Sequence, residues 1–220
     1  MGIISVEHMD RLYWLGRYSE RVYSTLKFFS ERYDTMIDME ENAYEEYCRR
    51  QEIPNIYTSS EDFVSRYCFD KTDVNSIFSN LMRAYDNAIV LREEIGSETL
   101  AYIQLAVYAM NKAKESDAPL IPLMSVKDDI VAFWGIADDQ IDSEYVRNII
   151  KVGKRIERID LYARMHYKAS ELIREVRRLT GRIDRTGLSY NHANLMKLNY
   201  FCEMDELDYK EIVKTVEALV

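Results

Sequence analysis

Leu15-Gly16-Arg17-Tyr18-Ser19-Glu20-Arg21 and Val152-Gly153-Lys154-Arg155-Ile156-Glu157-Arg158 carry one pattern twice: apolar, glycine, basic, two spacers, glutamate, arginine. The frames around the two copies also match. Leu12, Ser19, Val22 and Leu26 stand where Ile149, Ile156, Ile159 and Ala163 stand in the second copy. A repeat that keeps both an apolar frame and a charged couple predicts two related helices. In a helix, positions i, i+4, i+7 and i+11 share a stripe, so Gly16, Glu20, Tyr23 and Lys27 align, as do Gly153, Glu157, Asp160 and Arg164. Glycine inside a helix costs about 1 kcal/mol against alanine. Two matched glycines therefore point to close approach of another backbone or a bulky group.

Neighbouring residues on a helix diverge by about 100°, so Glu20 cannot readily pair with Arg21, nor Glu157 with Arg158. Helices packed through their seams would exchange partners, giving reciprocal Glu20–Arg158 and Glu157–Arg21 pairs, or pairs with polar groups of other helices. Two readings of the signature stay open. In one it locks helix register; in the other the glutamates and arginines line a polar cleft for a charged ligand.

Outward from the signature, breakers are scarce: 7 glycines and 3 prolines in 220 residues, 47% of them hydrophobic. Sheets of short strands need frequent turn residues, and no Val/Ile/Thr stretch alternates at period two. The expectation is an all-α, single-domain helical bundle over residues 1–220, with the two signature helices at its centre. The first helix is predicted over Val6–Met39, followed by an acidic helix within Glu40–Glu52 that stops before Pro54. A short helix follows from Ser59 to Tyr67 and a long one from Thr72-Asp73 onward, through Ile77, Leu81, Ala84, Ala88, Leu91 and Ile95; Gly96 kinks or ends the latter, with more helix to Lys114. Asp117–Pro122 reads as a loop, Val126–Phe133 as a helix and Gly135–Asp142 as a turn. One long helix is then predicted from Ser143 to Thr180, with Gly181 ending it, and two shorter ones over Asn191–Phe201 and Tyr209–Leu219.

The net charge of -9 disfavours nucleic acid as a partner. No uncharged run spans a bilayer, and no secretory start is visible. Three cysteines (Cys48, Cys68, Cys202) without a C-x-x-C fit a reducing, cytoplasmic location. Asp138-Asp139-Gln140-Ile141-Asp142 spells D-D-x-x-D, but has no second copy to face across a cavity and is read as capping and solvation. His8, His166 and His192 lack a glutamate three residues earlier, which excludes a di-iron pattern. His166 falls on the apolar seam and is read as a core or border histidine. No metal and no cofactor is expected. Arg174, Arg177, Arg178, Arg182 and Arg185 recur at helical steps. They either complement the helix dipole and the acidic segment or dock an acidic or phosphate-bearing partner. The 17 tyrosines suit half-buried borders, some of them on an oligomer or partner surface.

Leu12-Tyr13-Trp14-Leu15-Gly16-Arg17-Tyr18-Ser19-Glu20-Arg21 resembles the alpha-E family, a helical domain named for its glutamate–arginine motif. Asp86-Asn87-Ala88, Arg92-Glu93 and Ile95-Gly96-Ser97-Glu98 are similar to the family's internal R-E-N-A, R-D and S-S-E block, with Tyr85, Asp86 and Gly96 departing from it. Gly153 to Arg164 matches its later element. By resemblance the motif residues are Gly16, Arg17, Glu20, Arg21, Lys27, Asn87, Arg92, Ser97, Glu98, Gly153, Glu157, Arg158 and Arg164. Family members are typically encoded beside, or fused to, circularly permuted ATP-grasp and transglutaminase-like proteins. The resemblance thus implies an accessory part in peptide ligation or modification. The competing expectation is an enzyme or ligand-binding protein whose cleft uses Glu20, Glu98 and Glu157.

Overall fold

A computed structural model describes residues 4–34 and 43–220. Every regular element among them is helical: α1 (Val6–Asp34), α2 (Ala43–Gln51), α3 (Ser60–Phe69), α4 (Ile77–Val90), α5 (Arg92–Ile95), α6 (Ser97–Lys114), α7 (Leu120–Gln140), α8 (Glu144–Arg164), α9 (Ala169–Ile183), α10 (His192–Phe201) and α11 (Tyr209–Glu217). The predicted end of the first helix at Met39, and the first residues of the acidic segment, lie outside the described residues.

Local chemistry sets most boundaries. The side chains of Ser59, Ser76, Ser143, Asn191 and Asp208 each accept a backbone N–H of the following first turn, capping α3, α4, α8, α10 and α11. The start of α4 is Ser76 rather than Thr72-Asp73, because the Asp70 and Asp73 carboxylates are occupied in tight turns, accepting from Thr72 and Asn75. Gly96, at φ +81°, separates α5 from α6. The expected loop and turn around the next helix are corrected: α7 runs unbroken through Gly135. Pro119 sits at its cap and Pro122 in its first turn, where a missing N–H loses no intrahelical bond.

The long helix expected from Ser143 to Thr180 is two helices. After Arg164 the chain turns with His166 at φ +49°. The Tyr167 N–H donates to Tyr162 O at 2.8 Å and the His166 N–H to Ala163 O at 3.1 Å, which closes the end of α8. Gly181 accordingly lies inside α9. His166 is exposed and stacks on the Tyr209 ring (centroids 4.4 Å apart), so its expected place in the seam is also corrected.

The chain forms two compact units. One comprises Met1–Arg17 and Ser143–Val220, in which α8 packs on α9 and α11 and α10 packs on both of these. Its core is built from residues such as Leu12, Leu15, Ile149, Val152, Leu172, Leu198 and Ile212, all fully buried. The other unit, Tyr18–Asp142, has an α6–α7 hairpin with α4 laid on α6. Its core includes an aromatic cluster of Phe29, Tyr44, Tyr47, Tyr57, Phe63 and Tyr67. Helix α1 supplies residues to both units.

Candidate functional site: the glutamate–arginine signature

In the first unit, α1 and α8 cross at their two signature glycines. A Cβ on Gly16 would run into the carbonyl oxygen of Ile150 and stand 3.0 Å from the backbone nitrogen of Lys154. A Cβ on Gly153 would run into the carbonyl oxygen of Tyr13 and stand 3.2 Å from the nitrogen of Arg17. Tyr13 and Arg17 hold the same places relative to Gly16 that Ile150 and Lys154 hold relative to Gly153. The crossing is therefore a local two-fold, and the close approach expected from the paired glycines is found there, backbone against backbone.

Charge is placed immediately beside this crossing. Arg17 donates from Nε to Glu157 Oε2 at 2.7 Å, with Glu157 1% and Arg17 14% exposed. The Arg17 guanidinium also lies over the rings of Trp14, at 5.0 Å, and Tyr13, at 5.9 Å. Burial alone would pull this guanidinium down, but Glu157, Tyr13 and Asp160 more than reverse it and hold it above its ordinary range. Burial raises the Tyr13 hydroxyl as well. Two turns beyond Glu157, Arg164 donates to its own helix's Asp160 at 3.0 Å and also reaches Glu217 of α11.

Arg158 lies 3.7 Å from Glu175 of α9, a carboxylate only 1% exposed that also pairs with Arg155 and, at 3.1 Å, with Arg178. Glu175 and Arg155 were not among the expected site residues. No local pattern marks Glu175, because its distance from α8 depends on the break at His166. The basic stripe is engaged too: Arg174 pairs with Glu171, Arg182 donates to Asn148 Oδ1, and Arg185 lies 3.6 Å from Glu144.

The remaining expected residues belong to the second unit. Glu20 is fully buried and accepts from Ser24 Oγ at 2.7 Å. Arg21 is half-buried, and its charge acts on Tyr67, whose hydroxyl is raised mainly by burial. Lys27 lies over the Phe28 ring at 5.8 Å. Asn87 is half-buried in α4, whereas Arg92, Ser97 and Glu98 are exposed around Gly96, where Arg92 Nε donates to Ser97 Oγ at 3.0 Å. The expected Glu20–Arg158 and Glu157–Arg21 pairs join residues of different units and remain expectations. Asp138, Asp139 and Asp142 are all exposed, and among the described residues no group of three His, Cys, Asp or Glu is arranged to hold a metal ion.

Buried glutamate–arginine pairs around a glycine crossing define a helical domain organised by its own repeat. A family model described as "Alpha-E: a predicted alpha-helical domain with a conserved ER motif" matches residues 7–197, and the chain belongs to that family. No curated protein and no solved structure matches it. Among the described residues no helix is long and apolar enough to cross a membrane.

Proposed function

We propose that this chain is a helical accessory module that binds a circularly permuted ATP-grasp protein and supports peptide ligation or modification, without turning over substrate itself. The observation that carries this reading is the burial of Glu157 on Arg17 beside the glycine crossing. A general acid or base must reach substrate, and a carboxylate 1% exposed against a guanidinium does not. The signature then serves as scaffold, and function falls to the surface. That surface carries Leu105 and Tyr108 on α6 and Ile121, Met124 and Val131 on α7, all exposed. Two of these, Tyr108 and Met124, are of types enriched where partners dock. The class of partner comes from the family resemblance alone.

Co-purification of the full chain with a circularly permuted ATP-grasp protein from the same source, followed by ATP consumption with candidate amino acids, tests the proposal. A complex and a stimulated rate are expected, with Leu105→Glu plus Tyr108→Glu weakening the complex at unchanged melting temperature. Absence of both complex and stimulation would reject the reading. So would a folded, complex-forming Glu157→Gln that fails to stimulate ATP consumption, since the signature would then be chemical rather than structural.

A further inference from the structure

Glu175 holds more cations than one carboxylate can neutralise. Arg155 and Arg178 both pair with it, and one turn beyond Arg178, Arg182 donates to the neutral amide oxygen of Asn148. These three guanidinium groups against one carboxylate leave a surplus of two positive charges, with Arg158 not counted. Arg155 also keeps a buried Nε with no acceptor. Burial first, then repulsion from Arg158 and Arg178, outweighs Glu175 and lowers the Arg155 guanidinium below its ordinary range. Arg178, 49% exposed, is the member of the Glu175 cluster that reaches furthest into solvent, with Arg155 at 14%. In a chain of net charge -9, such a surplus is local and not part of a general attraction for anions.

We propose that the α8–α9 cluster centred on Glu175 is a binding site for the phosphate group of a small soluble ester. Arg155 and Arg178 donate to the phosphate oxygens, and Glu175 fixes their guanidinium planes. A phosphate monoester carries about -1.5 to -2 at neutral pH and three acceptor oxygens, which suits the surplus. A lone carboxylate neutralises only half of it. Planar guanidinium forks are the side chains best matched to such oxyanions. A small ligand fits better than an acidic peptide because Arg155 and Glu175 are sunk, at 14% and 1% exposure. This site does not depend on the partner complex.

Calorimetric titration of the full chain with inorganic phosphate, O-phosphoserine, serine and malonate tests it. Phosphate and O-phosphoserine are expected to bind and raise the melting temperature, while serine does not. Arg178→Gln is expected to weaken binding about tenfold, the worth of one charge-assisted contact. Arg174→Gln, on the exposed stripe, is expected to leave it unchanged. Should Arg178→Gln shift the ligand-free melting temperature, Arg178→Lys replaces it: the charge stays, the fork is lost, and phosphate affinity still falls. No binding of either phosphate probe would overturn the proposal. An equal loss in Arg174→Gln, or malonate binding as tightly as phosphate, would do the same.

Discussion

A methyl group is the smallest change that separates the two kinds of glycine in this chain. Alanine at Gly135 meets nothing within 4 Å, so the ordinary helical preference applies and Gly135→Ala is expected to stabilise by about 1 kcal/mol. At Gly16 or Gly153 the same preference is opposed by collision with a backbone carbonyl, which cannot rotate aside as a side chain can. Overpacking of a rigid contact costs about 1–3 kcal/mol or more, so each substitution is expected to lower stability by roughly 2 kcal/mol net. Denaturant midpoints measure all three. Because one added methyl already spreads the crossing, the double variant should lose less than the sum of the singles. Equal stabilisation at all three positions would mean that the helices do not cross there. Charge is as unforgiving as volume: Glu157→Ala strands Arg17 in a mostly buried place, a loss of about 3–5 kcal/mol.

At the scale of the element, the end of α8 shows which parts of the fold the sequence disclosed. The glycine crossing was legible because it rests on a repeated rare residue within a regular apolar period. The break at Met165–Lys168 was not, because no glycine or proline marks it and the apolar seam continues past it. A histidine takes the left-handed position usually filled by glycine, at a cost of about 1–2 kcal/mol. Its ring then stacks on Tyr209 of α11, and a ring pair returns about 0.5–1.5 kcal/mol. That compensation lies in tertiary structure and leaves no local mark, and a break without a mark also hides the approach of Glu175 to α8. The converse holds at α7, where Pro119, Pro122 and Gly135 resemble breakers but occupy positions a helix tolerates. The offset at His166 gives a prediction. His166→Gly should leave stability nearly unchanged in the parent chain, yet raise it by roughly 1 kcal/mol when Tyr209 is already alanine. Thermal or denaturant unfolding of the four-member cycle checks this, and a zero coupling would show that the stack contributes nothing.

Across the whole molecule, the division between the units falls inside the first signature, between Arg17 and Tyr18, where composition does not change. The cysteines report on each unit separately. Cys48 and Cys68 lie buried in the second unit, Cys202 at intermediate exposure in the first. Burial pushes the Cys48 thiol up to about 11 and raises Cys68 as well; it also raises Cys202, with Arg177 pulling the other way. The thiolate is the form that alkylates, so raised thiols that are also covered should react only when their surroundings open. At pH 8 in native buffer, iodoacetamide is expected to modify Cys202 slowly and to leave Cys48 and Cys68 intact. Across a denaturant series, site-resolved mass spectrometry should then yield one labelling curve for Cys48 and Cys68 together, because both are packed in one unit, and a separate curve for Cys202. Labelling of Cys48 in native buffer at the rate of the unfolded chain would place it outside the core, and diverging curves for Cys48 and Cys68 would divide the second unit.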